Sequence, residues 1–231
     1  MIYVGIDVGI TNLAIVKCLV EEFKIIRVLE AHRIDLGKLK HVKVSKSNCK
    51  LHHTNDAYDR IQHFLQEYDE LFQNVDQVRI ERQPITGLVH IEQLLFGHFR
   101  SKAKLVSPNA MHRFFNIQQY DYEGRKQQTI KIARPLIESH LSFNATSSSP
   151  SYNWNMDRVH DMADALCLVI YALHIDQKEH EKTKQIQIFE EKLKSKPILF
   201  IDDTKTADSF FEQFRFTPVI SSKDFMNPRN D

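Results

Sequence analysis

Three short apolar, β-branched stretches open the chain, at residues 2–7, 13–20 and 23–34. Strands of this kind joined by tight connections predict an antiparallel meander, with Gly9 marking the first turn and residues 20–22 the second. The pattern breaks over 36–53 and resumes at Asn55, which can cap a helix reaching about residue 72. Ala57, Ile61, Phe64, Leu65, Tyr68 and Leu71 recur there at the spacing that places them on one helix face. Residues 75–81 read as a strand, 88–100 as a helix, 103–106 as a short strand, and 108–115 as a short helix opened by Pro108. A longer helix is expected over 124–141, with Ile130, Ala133, Ile137 and Leu141 as its apolar stripe and Pro135 as a bend or boundary. The Ser, Asn and Pro content of 144–155 predicts a loop, and 157–173 a strongly apolar helix. Beyond 175 the chain turns charged, so 176–196 reads as a separate exposed helix and 197–231 as an irregular tail. The order of elements predicts an α/β fold whose mixed sheet joins a meander to crossover strands and is flanked by helices.

Composition changes this picture little. A chain of 231 residues, 42% hydrophobic, suits one ordinary domain with an appendage. The net charge of +1 does not announce a polyanionic partner, although acidic clusters can cancel basic ones, so the distribution of charge matters more than its sum. The densest basic run is 36–53, where Lys38, Lys40, Lys43, Lys46 and Lys50 stand with His41, His52 and His53 and no acid. A solvated loop and a contact to a nucleic-acid backbone explain it equally well. Cys49 with His52 and His53 supplies part of a zinc pattern, but no second pair lies at a suitable distance. Cys18, Cys49 and Cys167 show no disulfide framework, Met1 leads straight into a strand, and the longest apolar run is 166–173. The expectation is a soluble protein of a reducing intracellular compartment, without a membrane-spanning segment.

Candidate chemistry lies in acids placed where apolar residues belong. Asp7 ends the first strand inside Gly-Ile-Asp-Val-Gly, and Glu81 ends another in Ile-Glu-Arg-Gln. Each by itself fits an ordinary strand end. Asp161 and Asp164 are three apart and share a helix face at the start of an apolar helix. Complementing the helix dipole accounts for Asp157, less well for Asp161, and poorly for Asp164, which sits among Ala and Met. If that helix packs across the strands, the four carboxylates meet, repel, and acquire raised pKa values. Divalent cations relieve that repulsion, and hard oxygen ligands without cysteine suit Mg²⁺, with Mn²⁺ as a substitute. Two such ions would support phosphodiester hydrolysis. His160 could serve as a general acid or base, or merely flank the site.

The ordered set Gly-Ile-Asp-Val-Gly at 5–9, Ile-Glu-Arg-Gln at 80–83 and His-Asp-Met-Ala-Asp-Ala-Leu at 160–166 resembles the RuvC superfamily of Holliday-junction resolvases. The Ile-Glu-x-Gln form is similar to the mitochondrial and poxvirus-like branch, which extends to other large DNA viruses. The resemblance covers residues 1 to about 175 and implies a ribonuclease-H-like five-stranded sheet, a homodimer, two Mg²⁺ ions per subunit, and paired nicks across a four-way DNA junction. It carries Asp7, Glu81, Asp161 and Asp164 over as metal ligands. A viral source would imply action in the host cytoplasm. The basic run 36–53 and the extension 176–231 have no counterpart in the family core.

Around this set, Arg82 and Gln83 follow the second acid; Gln83 could bind phosphate or orient its loop. Arg125, Lys126 and Lys131 on the later helix are further candidates for DNA contact, and Phe114, Phe115, Tyr120 and Tyr122 for base stacking or core packing. Other readings stay open. A ribonuclease H or another nuclease would use the same acids. An actin-like or sugar-kinase-type ATP-binding protein would account for residues 5–12 but leave Asp161 and Asp164 unexplained. An inactive scaffold would have no need of the acids.

Overall fold

The structure is a computed structural model and describes residues 1–39, 56–141 and 159–195. The strands are β1 (Ile2–Asp7), β2 (Leu13–Glu21), β3 (Lys24–Ile34), β4 (Gln77–Glu81) and β5 (Ala103–Val106). The helices are α1 (Ala57–Glu67), α2 (Asp69–Phe72), α3 (Val89–His98), α4 (Pro108–Phe114), α5 (Tyr122–Leu141) and α6 (Val159–Ser195). The strands form a single five-stranded sheet in the order β3-β2-β1-β4-β5. The expected meander is present, β1–β2 and β2–β3 being antiparallel, while β4 and β5 join as parallel strands. Two residues, Glu22 and Phe23, turn β2 into β3, both with positive φ (46° and 61°). That geometry suits the right-handed twist of a hairpin, but neither residue announces it in the sequence.

The alternation of side chains divides the core into two layers. Val4, Ile6, Leu13, Ile15, Val78 and Ile80 pack on one face against Ile61 and Phe64 of α1 and Ile91 and Leu95 of α3. Ala14, Val16 and Cys18 pack on the other against Ala133 and Ile137 of α5 and Met162, Ala165, Leu166 and Val169 of α6. The expected stripe on α1 is buried there, but the helix breaks at Tyr68. Its cap is Asp56, whose carboxylate accepts from the Asp59 amide at 2.8 Å; Asn55 lies outside the described residues. The helix over α5 runs through Pro135 without a boundary.

Gly5 explains how closely α6 approaches the sheet. A Cβ at Gly5 would overlap the Ala165 carbonyl oxygen and sit 2.8 Å from Val169 Cγ2. The bare strand backbone therefore lets a helix lie directly on β1, which no larger residue permits without moving the helix.

The two helices expected at 157–173 and 176–196 are one, Val159–Ser195, of 37 residues. The change from apolar to charged composition at 175 marks no break, because nothing in that stretch stops a helix and Asp176 itself is drawn into the body of the protein, as described below. The first compact unit runs from Met1 to Lys184, past the boundary expected at 175; Gln185 begins a second unit. Among the described residues, no helix is long and apolar enough to cross a membrane. Cys18 and Cys167 are buried free thiols whose pKa values burial raises.

Candidate active site

β1 and β4 run parallel with Ile6 opposite Ile80, so their next residues, Asp7 and Glu81, leave the sheet side by side at the same edge. The first turns of α6 cross this edge and add Asp161 and Asp164. All four acids line one cleft of about 210 Å³, together with Met111, His112, Tyr122, Arg125, Lys126 and Leu168. The carboxylates inferred from separate parts of the sequence thus share one site.

Electrostatics there follow from burial and like charge. Burial pushes Asp7 well above the usual carboxylate range, and the charges of Glu81, Asp164 and Asp161 add to the effect. Asp164 is pushed up to about 7, first by burial and then by Glu81 and Asp161, against the opposing hydrogen bond from Thr129 and the charge of Lys126. Burial also raises Glu81, although hydrogen bonds with Asp7, Gln83 and the Val8 backbone oppose it. The side-chain hydrogen bond between Asp7 and Glu81 raises the first and lowers the second, so the two titrate as a pair.

Supporting contacts fix these groups. Gln83 Nε2 donates to Glu81 Oε2 at 2.5 Å, while the Gln83 backbone N–H donates to Glu92 Oε2 at 2.5 Å and its Oε1 accepts from the Leu88 amide at 3.4 Å. Of the two roles expected for Gln83, orienting its surroundings is thus already built in. Glu92 on α3 is buried, and its charge further raises Glu81. His160 Nε2 lies 3.0 Å from Asp161 Oδ1, within ion-pair distance of a candidate ligand when the ring is protonated. The Thr129 hydroxyl is buried between Asp164 and the Lys126 carbonyl, which is 3.1 Å away. Thr129 and Glu92 carry no motif spacing, and their roles appear only when helices meet strands.

Among the basic candidates, Arg125 and Lys126 belong to the cleft wall. Arg125 Nη1 donates to the Tyr120 carbonyl at 2.7 Å, and Lys126 Nζ sits 3.9 Å from the centre of the Tyr122 ring. Lys131 and Arg82 do not line that cleft. Lys38 is exposed and 3.5 Å from Asp35, in a segment whose Leu36 and Leu39 are buried, so the start of the basic run is anchored in the core. Lys40, Lys43, Lys46 and Lys50 lie outside the described residues, as do Cys49, His52, His53 and Asp157.

Sequence reasoning missed a second polar cluster on the same sheet face. Arg79, in the middle of β4, is almost fully buried; its Nη2 donates to Asp176 Oδ2 of α6 at 2.5 Å. The Tyr3 hydroxyl (3.0 Å) and Lys104 Nζ (3.1 Å) reach the same carboxylate. A lone Arg at an inward position of a strand was the available signal, since such a charge demands a partner.

The residues fit divalent cations by their chemistry: hard oxygens, partly buried, whose mutual repulsion the nearby cations only partly offset. Among the described residues, no three His, Cys, Asp or Glu side chains form a ready-made metal cage.

A mixed five-stranded sheet flanked by helices, with acids gathered at one end of its central strands, is a ribonuclease-H-like fold. The poxvirus A22 protein family matches residues 1–177, and the chain belongs to that family; it is a structure-specific junction resolvase of the RuvC superfamily. Among solved structures, the yeast mitochondrial Holliday junction resolvase aligns over 80% of this chain and 85% of its own, at 14% identity and a TM-score of 0.52. The fowlpox virus resolvase, solved with its substrate Holliday junction DNA, aligns over 75% of this chain and 97% of its own, at 16% identity and a TM-score of 0.48. Thermus thermophilus RuvC aligns over 77% and 97%, at 16% identity and a TM-score of 0.43. No curated protein sequence matches the chain.

Proposed function

We propose that the chain cuts four-way DNA junctions by Mg²⁺-dependent hydrolysis, with Asp7, Glu81, Asp161 and Asp164 as the ligands of two ions per subunit. The observation that carries this reading is the meeting of four carboxylates in one cleft, where burial and like charge raise the pKa values of Asp7, Glu81 and Asp164. When bound, the ions would activate a water and stabilise the leaving 3′ oxygen.

The protein's own groups supply placement. Asp7 and Glu81 hold the sheet side of the site and Asp161 and Asp164 the helix side. Gln83 engages one Glu81 oxygen and so fixes the orientation of that carboxylate on the cleft wall. Thr129 orients Asp164, and His160 orients Asp161. Arg125 and Lys126 offer positive charge on the facing wall, where a DNA phosphate would meet both cations and carboxylate-bound metal. Further phosphate contacts are proposed for Arg82, Lys131, Lys38 and the lysines at 40, 43, 46 and 50. Two copies related by a two-fold axis would present two such clefts to a symmetric junction, which favours a homodimer.

The test is cleavage of a labelled four-way junction in Mg²⁺, beside linear duplex and an RNA–DNA hybrid, with the Asp7→Asn variant as control. Paired nicks in the junction alone, absent from the variant, are expected. Cleavage of the hybrid alone would move the protein to ribonuclease H, and full activity of the variant would remove Asp7 from the metal site.

A further inference from the structure

Tyr122 opens α5 on the wall of the acid cleft, and it is 57% exposed. It joins neither core layer. Its aromatic neighbours in sequence differ: the Phe114 ring packs on Phe115 at 4.7 Å and on Tyr171 at 5.4 Å, away from the cleft lining. What organises Tyr122 is Lys126, one helical turn on, whose ammonium covers the ring at 3.9 Å from its centre. Lys126 lines the same cleft as Asp7, Glu81, Asp161 and Asp164. Carboxylates, an ammonium and an aromatic face therefore follow one another along a single wall. An aromatic side chain more than half exposed beside a lysine matches the way single-stranded nucleic acid is held, by a backbone contact and a stacked base.

On the resolvase reading above, we propose that Tyr122 is a base-stacking residue: its ring receives an unpaired nucleobase of the branch point, next to the phosphate being cut, while Lys126 contacts the backbone beside it. Bases in a continuous duplex are already stacked, so the ring finds a partner only where pairing is broken. Tyr122 thereby couples cutting to branched DNA and is a determinant of which base stands beside the cut.

The experiment places 2-aminopurine beside the cut in a four-way junction and follows its fluorescence on binding, in an Asp7→Asn background that leaves the DNA intact. Tyr122→Ala, Tyr122→Phe and Tyr122→Trp are compared there, and also for single-turnover cleavage in the otherwise wild-type protein. Melting temperature and Mn²⁺ affinity without DNA are measured in parallel. The expected result is that Tyr122→Ala loses the stacking signal and slows cleavage roughly ten- to a hundredfold. Phe and Trp should keep both, and Mn²⁺ affinity and melting should not change. A full signal and rate in Tyr122→Ala, or a Tyr122→Phe variant as defective as Ala, would overturn the proposal. Failure of the wild-type protein to bind or cut any junction would instead bring down the resolvase reading, and this inference with it.

Discussion

Arg79 and Asp176 are joined by a 2.5 Å hydrogen bond between side chains that are only 2% and 12% exposed. The bond ties the middle of β4 to α6 twelve residues, or about 18 Å, beyond Asp164. Between these points Gly5 admits the helix against β1. The helix that carries half of the acid cluster is thus held at the site by packing and at its far side by charge. A paired buried charge contributes little net stability over an apolar pair, yet breaking it leaves one charge stranded.

Replacing Asp176 with Ala should therefore destabilise the protein by about 3–5 kcal/mol. The double variant Arg79→Met with Asp176→Leu should recover much of that loss. Urea denaturation of the wild type, Asp176→Ala and the double variant measures both. A single variant as stable as wild type would show that Arg79 finds another partner.

The same pair sets an acid limb of stability. Burial alone would raise Asp176, but the hydrogen bonds and charges of Arg79 and Lys104 outweigh it and hold the group below its ordinary value. A depressed acid stabilises the fold in full above its unfolded pKa of about 4, and that contribution is lost as pH falls through the folded value. Melting temperature should fall below pH 4, and by less in Asp176→Asn, measured relative to each protein's own stability at pH 6.

The cleft acids carry the opposite sign. Asp7, Glu81 and Asp164 all have raised pKa values, with Asp164 at about 7. Their ionisation is disfavoured by the fold, so the penalty is absent below about pH 4 and grows as pH rises through the folded values. In EDTA the protein should lose stability from pH 5 to pH 8, and Asp164→Asn should be the more stable protein at pH 8. Mg²⁺ should raise the wild-type melting temperature more at pH 8 than at pH 5.5, and should do little for Asp164→Asn. Equal shifts at both pH values would argue against metal binding by these carboxylates.

Gly5 makes a separate prediction. A methyl group there meets helix backbone as well as the Val169 side chain, so Gly5→Ala should cost roughly 1–3 kcal/mol or more through overpacking. Thermal unfolding checks the loss. Displacement of α6 should also lower Mn²⁺ affinity, since Asp161 and Asp164 ride on the same helix.

Arg125 and Lys126 face the cleft, whereas Lys131 does not line it. Salt titrations of junction binding should show a slope reduced by about one for each of Arg125→Ala and Lys126→Ala if each neutralises one phosphate. An unchanged slope would remove that residue from the DNA interface.

Local pattern alone determined much of this protein. Apolar, β-branched runs marked β1 to β3, helical spacing marked the face of α1, and acids at apolar positions marked Asp7, Glu81, Asp161 and Asp164. These signals were legible because each depends on near neighbours in the chain. Tertiary structure decided what depends on distant ones. The break at Tyr68, the Glu22–Phe23 turn and the continuity of α6 past residue 175 run against local composition. Asp176 read as the start of a solvated segment because its partner, Arg79, is 97 residues away in sequence. Gln83, Thr129 and Glu92 acquired their roles only when β4, α3 and α5 came together around the carboxylates. Period and propensity are properties of a short stretch of chain, whereas a hydrogen bond between two elements, and the desolvation that makes it matter, exist only after packing has brought them into contact.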